Sequence, residues 1–427
     1  MDDRENLTTG SDSVRAAVRA FYDLHPYPPP VEALDGYRQR WQDDSRRRAD
    51  FHLHWPDRSY RADLKVLVAG CGTSQAVKHA LRQPGCQVVG IDISATSIRH
   101  TEKLKHQYHL TNLEVYQLPV ERVSELSRRF DKIVCTGVLH HLPDPQAGLR
   151  ALREVLAPDG VMHLMVYAPY GRAGVYMLQE YCRRLGIGHS EEEIINLANT
   201  LLALPPSHPL ARLLGESPDF QRKDALADAL LNPQDRAYTV PQLFDLFEGC
   251  GLAFGRWVRQ APYLPQCGSL AGTPHAARLA KLPLREQYAA VELFRGTILR
   301  HNLIVYPDDR INNRKLPRFD HDDWLAYVPI RVPETISLKN RLPPGAAAVL
   351  INQAHGDADL FLPVNASEMR LVEAIDGVST IDEIIYHVSR AGAGNLHQLR
   401  SQARSLFERL YWYDQTVFDA SRKGGAG

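Results

Sequence analysis

Short apolar runs alternate with helix-like periodicity between residues 64 and 166 of this chain. Lys65 to Ala69, Gln87 to Ile91, Leu113 to Gln117, Phe130 to Thr136 and Val161 to Val166 read as strands, because β-branched residues crowd runs of strand length. Gln75 to Leu81, Ala95 to His109 and Gln146 to Leu156 fall between them as helices. That alternation predicts an α/β fold with a parallel sheet covered by helices on both faces. Ahead of it lie a short helix over Val14 to Tyr22 and the segment His25-Pro-Tyr-Pro-Pro-Pro30, which cannot be helix interior. Beyond Tyr167 a mostly helical stretch, about 170–240, reads as a lid inserted over the strand ends. Leu252 to Arg259 and His301 to Tyr306 then read as an antiparallel pair closing the sheet, separated by a proline-rich loop and a helix over Leu284 to Leu299.

The pattern changes after Asp308, where charges and prolines run through Asp323. Two β-like runs follow, Ala347 to Asn352 and Leu360 to Pro363, and then three apolar helical faces. These are Met369, Val372 and Ile375; Ile381, Ile384, Ile385 and Val388; and Leu396, Leu399, Ala403, Leu406 and Leu410. A strand pair with three short helices suggests a small winged-helix-like domain. The organisation expected is therefore an N-terminal strap with helices (1–62), a main domain (63–310), a linker (311–324), the small domain (325–420) and a disordered glycine-rich tail (421–427).

Composition narrows the function classes. Fifty basic residues balance fifty acidic ones, so the chain lacks the electrostatic footprint of a dedicated nucleic-acid binder. The 44% hydrophobic content suffices for ordinary cores, and no apolar run approaches a membrane span. Met1 to Ser13 is polar and acidic, unlike a secretory signal. Six cysteines are scattered without a Cys-x-x-Cys pair, so they read as reduced thiols and the expected compartment is the cytoplasm.

The candidate chemistry begins at Val66-Leu-Val-Ala-Gly-Cys-Gly-Thr-Ser-Gln75, a strand running into glycines and then a helix. Glycines there let the backbone approach a ligand, and the free amides of the helix start favour an anionic group. A dinucleotide fingerprint would carry a third glycine where this chain has Gln75. Asp92 ends the second strand, twenty positions after Gly72, where a carboxylate can take both hydroxyls of a ribose. A helix N-cap is the competing role for Asp92.

The fourth strand ends in Cys135-Thr-Gly-Val-Leu-His-His-Leu-Pro143, and Leu156-Ala-Pro-Asp-Gly160 precedes the fifth. Together with the Gly-x-Gly loop and Asp92, in that order, these signals resemble a class I S-adenosylmethionine-dependent methyltransferase over roughly residues 20–310. The resemblance implies a Rossmann-like sheet and S-adenosylmethionine as cofactor, with S-adenosylhomocysteine as product. It places Ala69, Gly70 and Gly72 at the methionine moiety, Asp92 at the ribose, Ile93 beside the adenine, and Gln117, Leu118 and Pro119 at the adenine edge; Cys71, Gln75, Thr136 and Gly137 complete the cofactor set. Two departures stand out: Ala69 and Leu118 occupy places where many members carry acidic residues, leaving Gln75, Gln117 and Glu121 as substitutes. In the small domain, Leu362-Pro-Val-Asn365 and Ile375-Asp-Gly-Val-Ser-Thr-Ile381 resemble PqqD-like domains, which implies docking of a peptide or carrier on a sheet edge.

Methyl transfer from a sulfonium is an in-line displacement that needs alignment, no metal, and a base only for a protonated acceptor. His140 is the expected base, with His141 beside it and Tyr167 as partner. Tyr22, Tyr27, Tyr170, Arg172, Asn232, Asp235, Arg236 and Tyr238 are the expected substrate contacts. The leading reading is methylation of an oxygen or nitrogen of a small molecule or peptide. A catalytically silent cofactor-binding adaptor and an NAD-dependent oxidoreductase are the alternatives, and a homodimer is an option for the C-terminal domain. No nucleic acid or membrane partner is expected.

Overall fold

The computed structural model describes residues 3–211, 214, 222–392 and 396–422, with side chains from Asp12 onward. The glycine-rich tail from residue 423 lies outside the described residues. The chain forms two compact units, each built from separated segments. Met1–Arg38, Ala62–Phe254 and Gly296–Asp308 make the first; Gln39–Arg61, Gly255–Arg295 and Asp309–Gly427 make the second.

The first unit contains the expected α/β sheet. The strands of the sheet, β1 (Lys65–Ala69), β2 (Gln87–Asp92), β3 (Leu113–Gln117), β4 (Phe130–Thr136), β5 (Leu156–Tyr167), β6 (Leu252–Trp257, of which Leu252–Phe254 belong to this unit) and β7 (Arg300–Pro307), run in the order β3-β2-β1-β4-β5-β7-β6. The strands β1 to β5 pair in parallel, and β7 pairs antiparallel to β5. Val66, Leu67, Val68 and Ala69 are all buried, as expected of a strand covered on both faces. The helix Gln75–Arg82 lies close on this sheet because Gly90 of β2 has no side chain: a Cβ there would sit 2.7 Å from Ala76 Cβ. Close helix-to-strand packing is thus achieved from the strand side, without a glycine at Gln75.

The N-terminal helix is longer than expected, Asp3–Leu24, and ends before the proline run. Three helices of the lid, Ala173–Leu185, Glu191–Leu201 and Lys223–Leu231, bury Val175, Leu178, Ile194, Leu197, Leu226 and Leu230 together with Phe21 of that N-terminal helix. No helix among the described residues is long and apolar enough to cross a membrane.

The second unit is not confined to the C-terminal residues. It draws in 39–61 and 255–295, and residues 311–324 are more than a linker: Phe319 and Trp324 are buried in its core with Leu350, Leu371, Ile385 and Phe407. Helix Asp44–His54 packs Ala49 against Ile330 and Val417, on the paired strands β8 (Val328–Arg331) and β12 (Thr416–Asp419). A three-stranded sheet, β9 (Thr335–Leu338), β10 (Ala348–Asn352) and β11 (Phe361–Val364), has the order β11-β10-β9. The strand β11 is an edge, but Pro363 has no N–H and its carbonyl accepts Arg409 Nη1 at 3.4 Å. It therefore offers an added strand fewer partners than its edge position suggests. The unit is tied together by buried Asp414, which accepts from Arg256 Nη2 (3.1 Å), Gln260 N (2.8 Å), Ala261 N (3.0 Å) and His355 Nε2 (3.0 Å).

Candidate functional site

The site starts at the turn out of β1. Gly70 and Gly72 have left-handed φ values of 67° and 53°, which side chains rarely adopt. Space is closed to a side chain as well: a Cβ on Gly70 would lie 2.1 Å from Val138 Cγ2, and one on Gly72 2.8 Å from Pro28 Cδ. Gly72 N donates to Asp92 Oδ2 at 2.8 Å and Ser94 N donates to Asp92 Oδ1 at 2.9 Å. Burial pushes the Asp92 carboxyl upward, against these amides and that of Ile93, which pull it down. The N-cap of helix Ala95–Gln107 is Ser94, whose side chain accepts from Ser97 N. Asp92 therefore shapes the loop and is not the cap.

The proline-rich segment closes over this loop. Thr73 Oγ1 donates to Pro28 O at 2.8 Å, while Asp23 accepts from Ser94 Oγ at 2.8 Å and from Thr96 N at 3.2 Å. The end of the N-terminal helix is thereby fixed to the start of helix Ala95–Gln107. A cavity of about 720 Å³ results. One part of its wall is Gly70, Gly72, Gln75, Asp92, Ile93, Leu118, Thr136 and Gly137; another is Tyr22, Tyr27, His141, Tyr167, Arg172 and Asp228.

His140 and His141 occupy one short 3₁₀ turn, Leu139–His141, where consecutive side chains point about 120° apart. His141 lines the cavity; His140 does not. His141 Nδ1 lies 2.6 Å from Gln234 O, and since a carbonyl only accepts, Nδ1 carries the proton and Nε2 is the acceptor nitrogen. His140 is fully buried, stacks on Tyr167 at 4.0 Å between ring centroids, and has no hydrogen-bond partner at either nitrogen. Burial, then His141 and Arg172, hold it well below the ordinary histidine range. His140 thus stands off the cavity wall, and of the two histidines expected at the reaction centre it is His141 that faces the cavity.

Tyr167 is pushed well above the usual phenol range by burial and by Asp228, with the Arg172 guanidinium 3.6 Å over its ring. Arg172 also faces Asp235 at 3.6 Å. His140, His141 and Asp235 each bring one ligand-type atom within 4.8 Å of one another. The charge that balances Asp235, however, is already supplied by the guanidinium.

Several expected residues lie off the cavity wall. Ala69 and Cys71 are buried beneath the loop, and Gln117 Nε2 donates to Ile93 O at 3.1 Å from outside the cavity. Tyr170 is 40% exposed. Asn232 stands behind Tyr22, donating to its hydroxyl at 3.0 Å. Arg236 N donates to His140 O at 3.1 Å and Tyr238 N to Tyr167 O at 2.9 Å, so these two brace the site through backbone. Sequence reasoning missed Arg15, Arg82, His163, Asp228 and Asn302, all on the wall. Arg15 had a signal, since it shares a helix face with Val18 and Tyr22.

Comparison with known proteins agrees with this geometry. The family described as "Methyltransferase domain" matches residues 67–162. An uncharacterized protein of Synechococcus sp., syc1184_c, is 30% identical over 341 residues, covering 75% of this chain and 78% of that protein. The ubiquinone biosynthesis O-methyltransferase of Acinetobacter baylyi is 26% identical over 146 residues, 32% of this chain, and the chain spans only 61% of its length. Among solved structures, PKMT2 from Rickettsia typhi superimposes with a TM-score of 0.64 at 16% identity, covering 92% of this chain and 76% of that one, which shows a shared fold. Its complex with AdoHcy gives a TM-score of 0.63, also at 16% identity, over 92% of this chain and 77% of that one. Fold, loop and family match converge: the chain belongs to the family of the Synechococcus protein and is a class I S-adenosylmethionine-dependent methyltransferase.

Proposed function

We propose that the chain methylates an oxygen or nitrogen of a small molecule or peptide bound beside Tyr22, Tyr27, His141 and Tyr167. The observation that carries this reading is a single cavity that joins those residues to Gly70, Gly72 and Asp92. The residues suit the cofactor: two glycines whose Cβ space is closed leave backbone beside the cavity, and a half-buried carboxylate ends β2. In this reading Asp92 holds the ribose, Ile93 and Leu118 flank the adenine, and Gly70 and Gly72 pass the methionine moiety. Bound there, S-adenosylmethionine supplies an electrophilic methyl group. The chain's own task is to exclude water, align the acceptor and receive its proton where it has one. His141 Nε2 is the acceptor nitrogen on the cavity wall and is the proposed base.

The test is incubation of the full chain with methyl-labelled S-adenosylmethionine and fractionated small-molecule and peptide pools. Label should enter an acceptor fraction with the wild-type chain and fall by roughly a hundredfold with His141→Ala. Cofactor binding without label transfer into any fraction would favour the silent adaptor instead.

A further inference from the structure

Asp228, on the lid helix Lys223–Leu231, is 4% exposed and lines the cavity. Its Oδ1 accepts from Tyr22 Oη at 2.9 Å and from Asn232 Nδ2 at 3.3 Å. Oδ2 accepts from no group among the described residues, and no lysine, arginine or histidine there lies within ion-pair distance. The nearby carboxylate of Asp235, by contrast, has Arg172. A buried carboxylate bonded, among the described residues, to neutral groups alone, with His141 acting on it only from beyond ion-pair distance, is costly as a charge, and it is retained where something else supplies the counter-charge.

The surroundings specify what that is. The hydroxyl of Tyr22 is bonded to the carboxylate, and the charge of Asp228 is felt by Tyr167 and by Tyr22. The ring of His141 lies 5.9 Å from that of Tyr22. Aromatic faces around a carboxylate attract a cation. A neutral alcohol in the same place would leave the carboxylate uncompensated.

We infer that the methyl acceptor is an amine that enters as its ammonium ion, with Asp228 as counter-ion and proton acceptor. This deepens the function proposed above and rests on it. Desolvation disfavours both charges at once, raising a carboxyl and lowering an ammonium, so it assists passage of one N–H proton to Oδ2. Burial pushes Asp228 in that direction. The freed lone pair forms the bond to the methyl carbon, the electron pair of the broken C–S bond stays on sulfur, and the nitrogen again carries the positive charge. The proton on Asp228 then passes to water. For an ammonium acceptor this scheme assigns the proton to Asp228 in place of His141, whose Nε2 acceptor nitrogen then orients the substrate.

The experiment is calorimetric titration of benzylamine and of benzyl alcohol into the full chain, alone and saturated with S-adenosylhomocysteine, at neutral pH. The amine should bind tighter than the alcohol by roughly tenfold or more. Asp228→Asn should erase that preference while leaving S-adenosylhomocysteine affinity intact; Tyr22→Phe, which keeps the charge, should retain it. Equal binding of amine and alcohol, or a preference that survives Asp228→Asn, would overturn the inference. Failure of S-adenosylhomocysteine to bind would sink the methyltransferase reading separately, because the titrations on the chain alone still report on Asp228.

Discussion

Gly72 gives its backbone N–H to the carboxylate of Asp92 across 2.8 Å, so the loop after β1 and the acid that ends β2 hold each other in place. Neither can change without moving the other. Gly72→Ala should therefore be doubly unfavourable. The left-handed conformation costs an alanine about 1–2 kcal/mol, and the added methyl meets Pro28. We expect a lower melting temperature and a loss of S-adenosylhomocysteine affinity of at least roughly tenfold. Wild-type values of both would show that the strap yields freely.

His140 makes a pH prediction. Its folded pKa lies well below the ordinary 6.5, so below that pH the unfolded chain binds a proton that the folded chain refuses. Stability from this group is complete above 6.5 and is lost as the pH falls toward the folded pKa, by about 1.4 kcal/mol per pH unit for one proton. His140→Phe keeps a flat ring and removes the proton site. Denaturant melts across this range should show a shallower pH slope for the variant by that amount; parallel slopes would mean that His140 titrates alike in both states.

In the second unit, Asp414→Ala should cost about 3–5 kcal/mol, because it leaves the buried guanidinium of Arg256 without its carboxylate and frees two backbone amides. Chemical denaturation read on the unit's tryptophans measures this. A cost under about 1 kcal/mol would place the cohesion of the unit in its apolar core alone.

The strands of the first unit were legible because each is a local pattern. Phe130–Thr136 lies where the apolar run lies, since a strand buried on both faces leaves a continuous apolar trace, whereas Leu113–Gln117, at the edge of the sheet, shows instead as an alternation of apolar and polar residues. The glycine loop and Asp92 were legible because close backbone approach restricts the residue type. The second unit was not, because helix Asp44–His54 joins strands far along the chain, packing Ala49 with Ile330 and Val417 through contacts with no local signature. Charges between Asp308 and Asp323 likewise hid Phe319 and Trp324. Asp228 was invisible for a related reason: one acid among the apolar residues Ala225 to Leu231 reads as a solvent-facing position, whereas the whole turn is buried. Adjacent His140 and His141 could not be told apart from sequence, because the turn that separates them is set by tertiary packing.

Calorimetric titration of S-adenosylhomocysteine into the wild-type chain and into Asp92→Asn tests the central claim most directly. Asparagine keeps one acceptor oxygen for the loop amides but loses the charge. The account predicts one-site binding to the wild-type chain, weaker in the variant by about 1.5–3 kcal/mol, with both proteins folded. Identical affinities, or binding of NAD in place of S-adenosylhomocysteine, would contradict it.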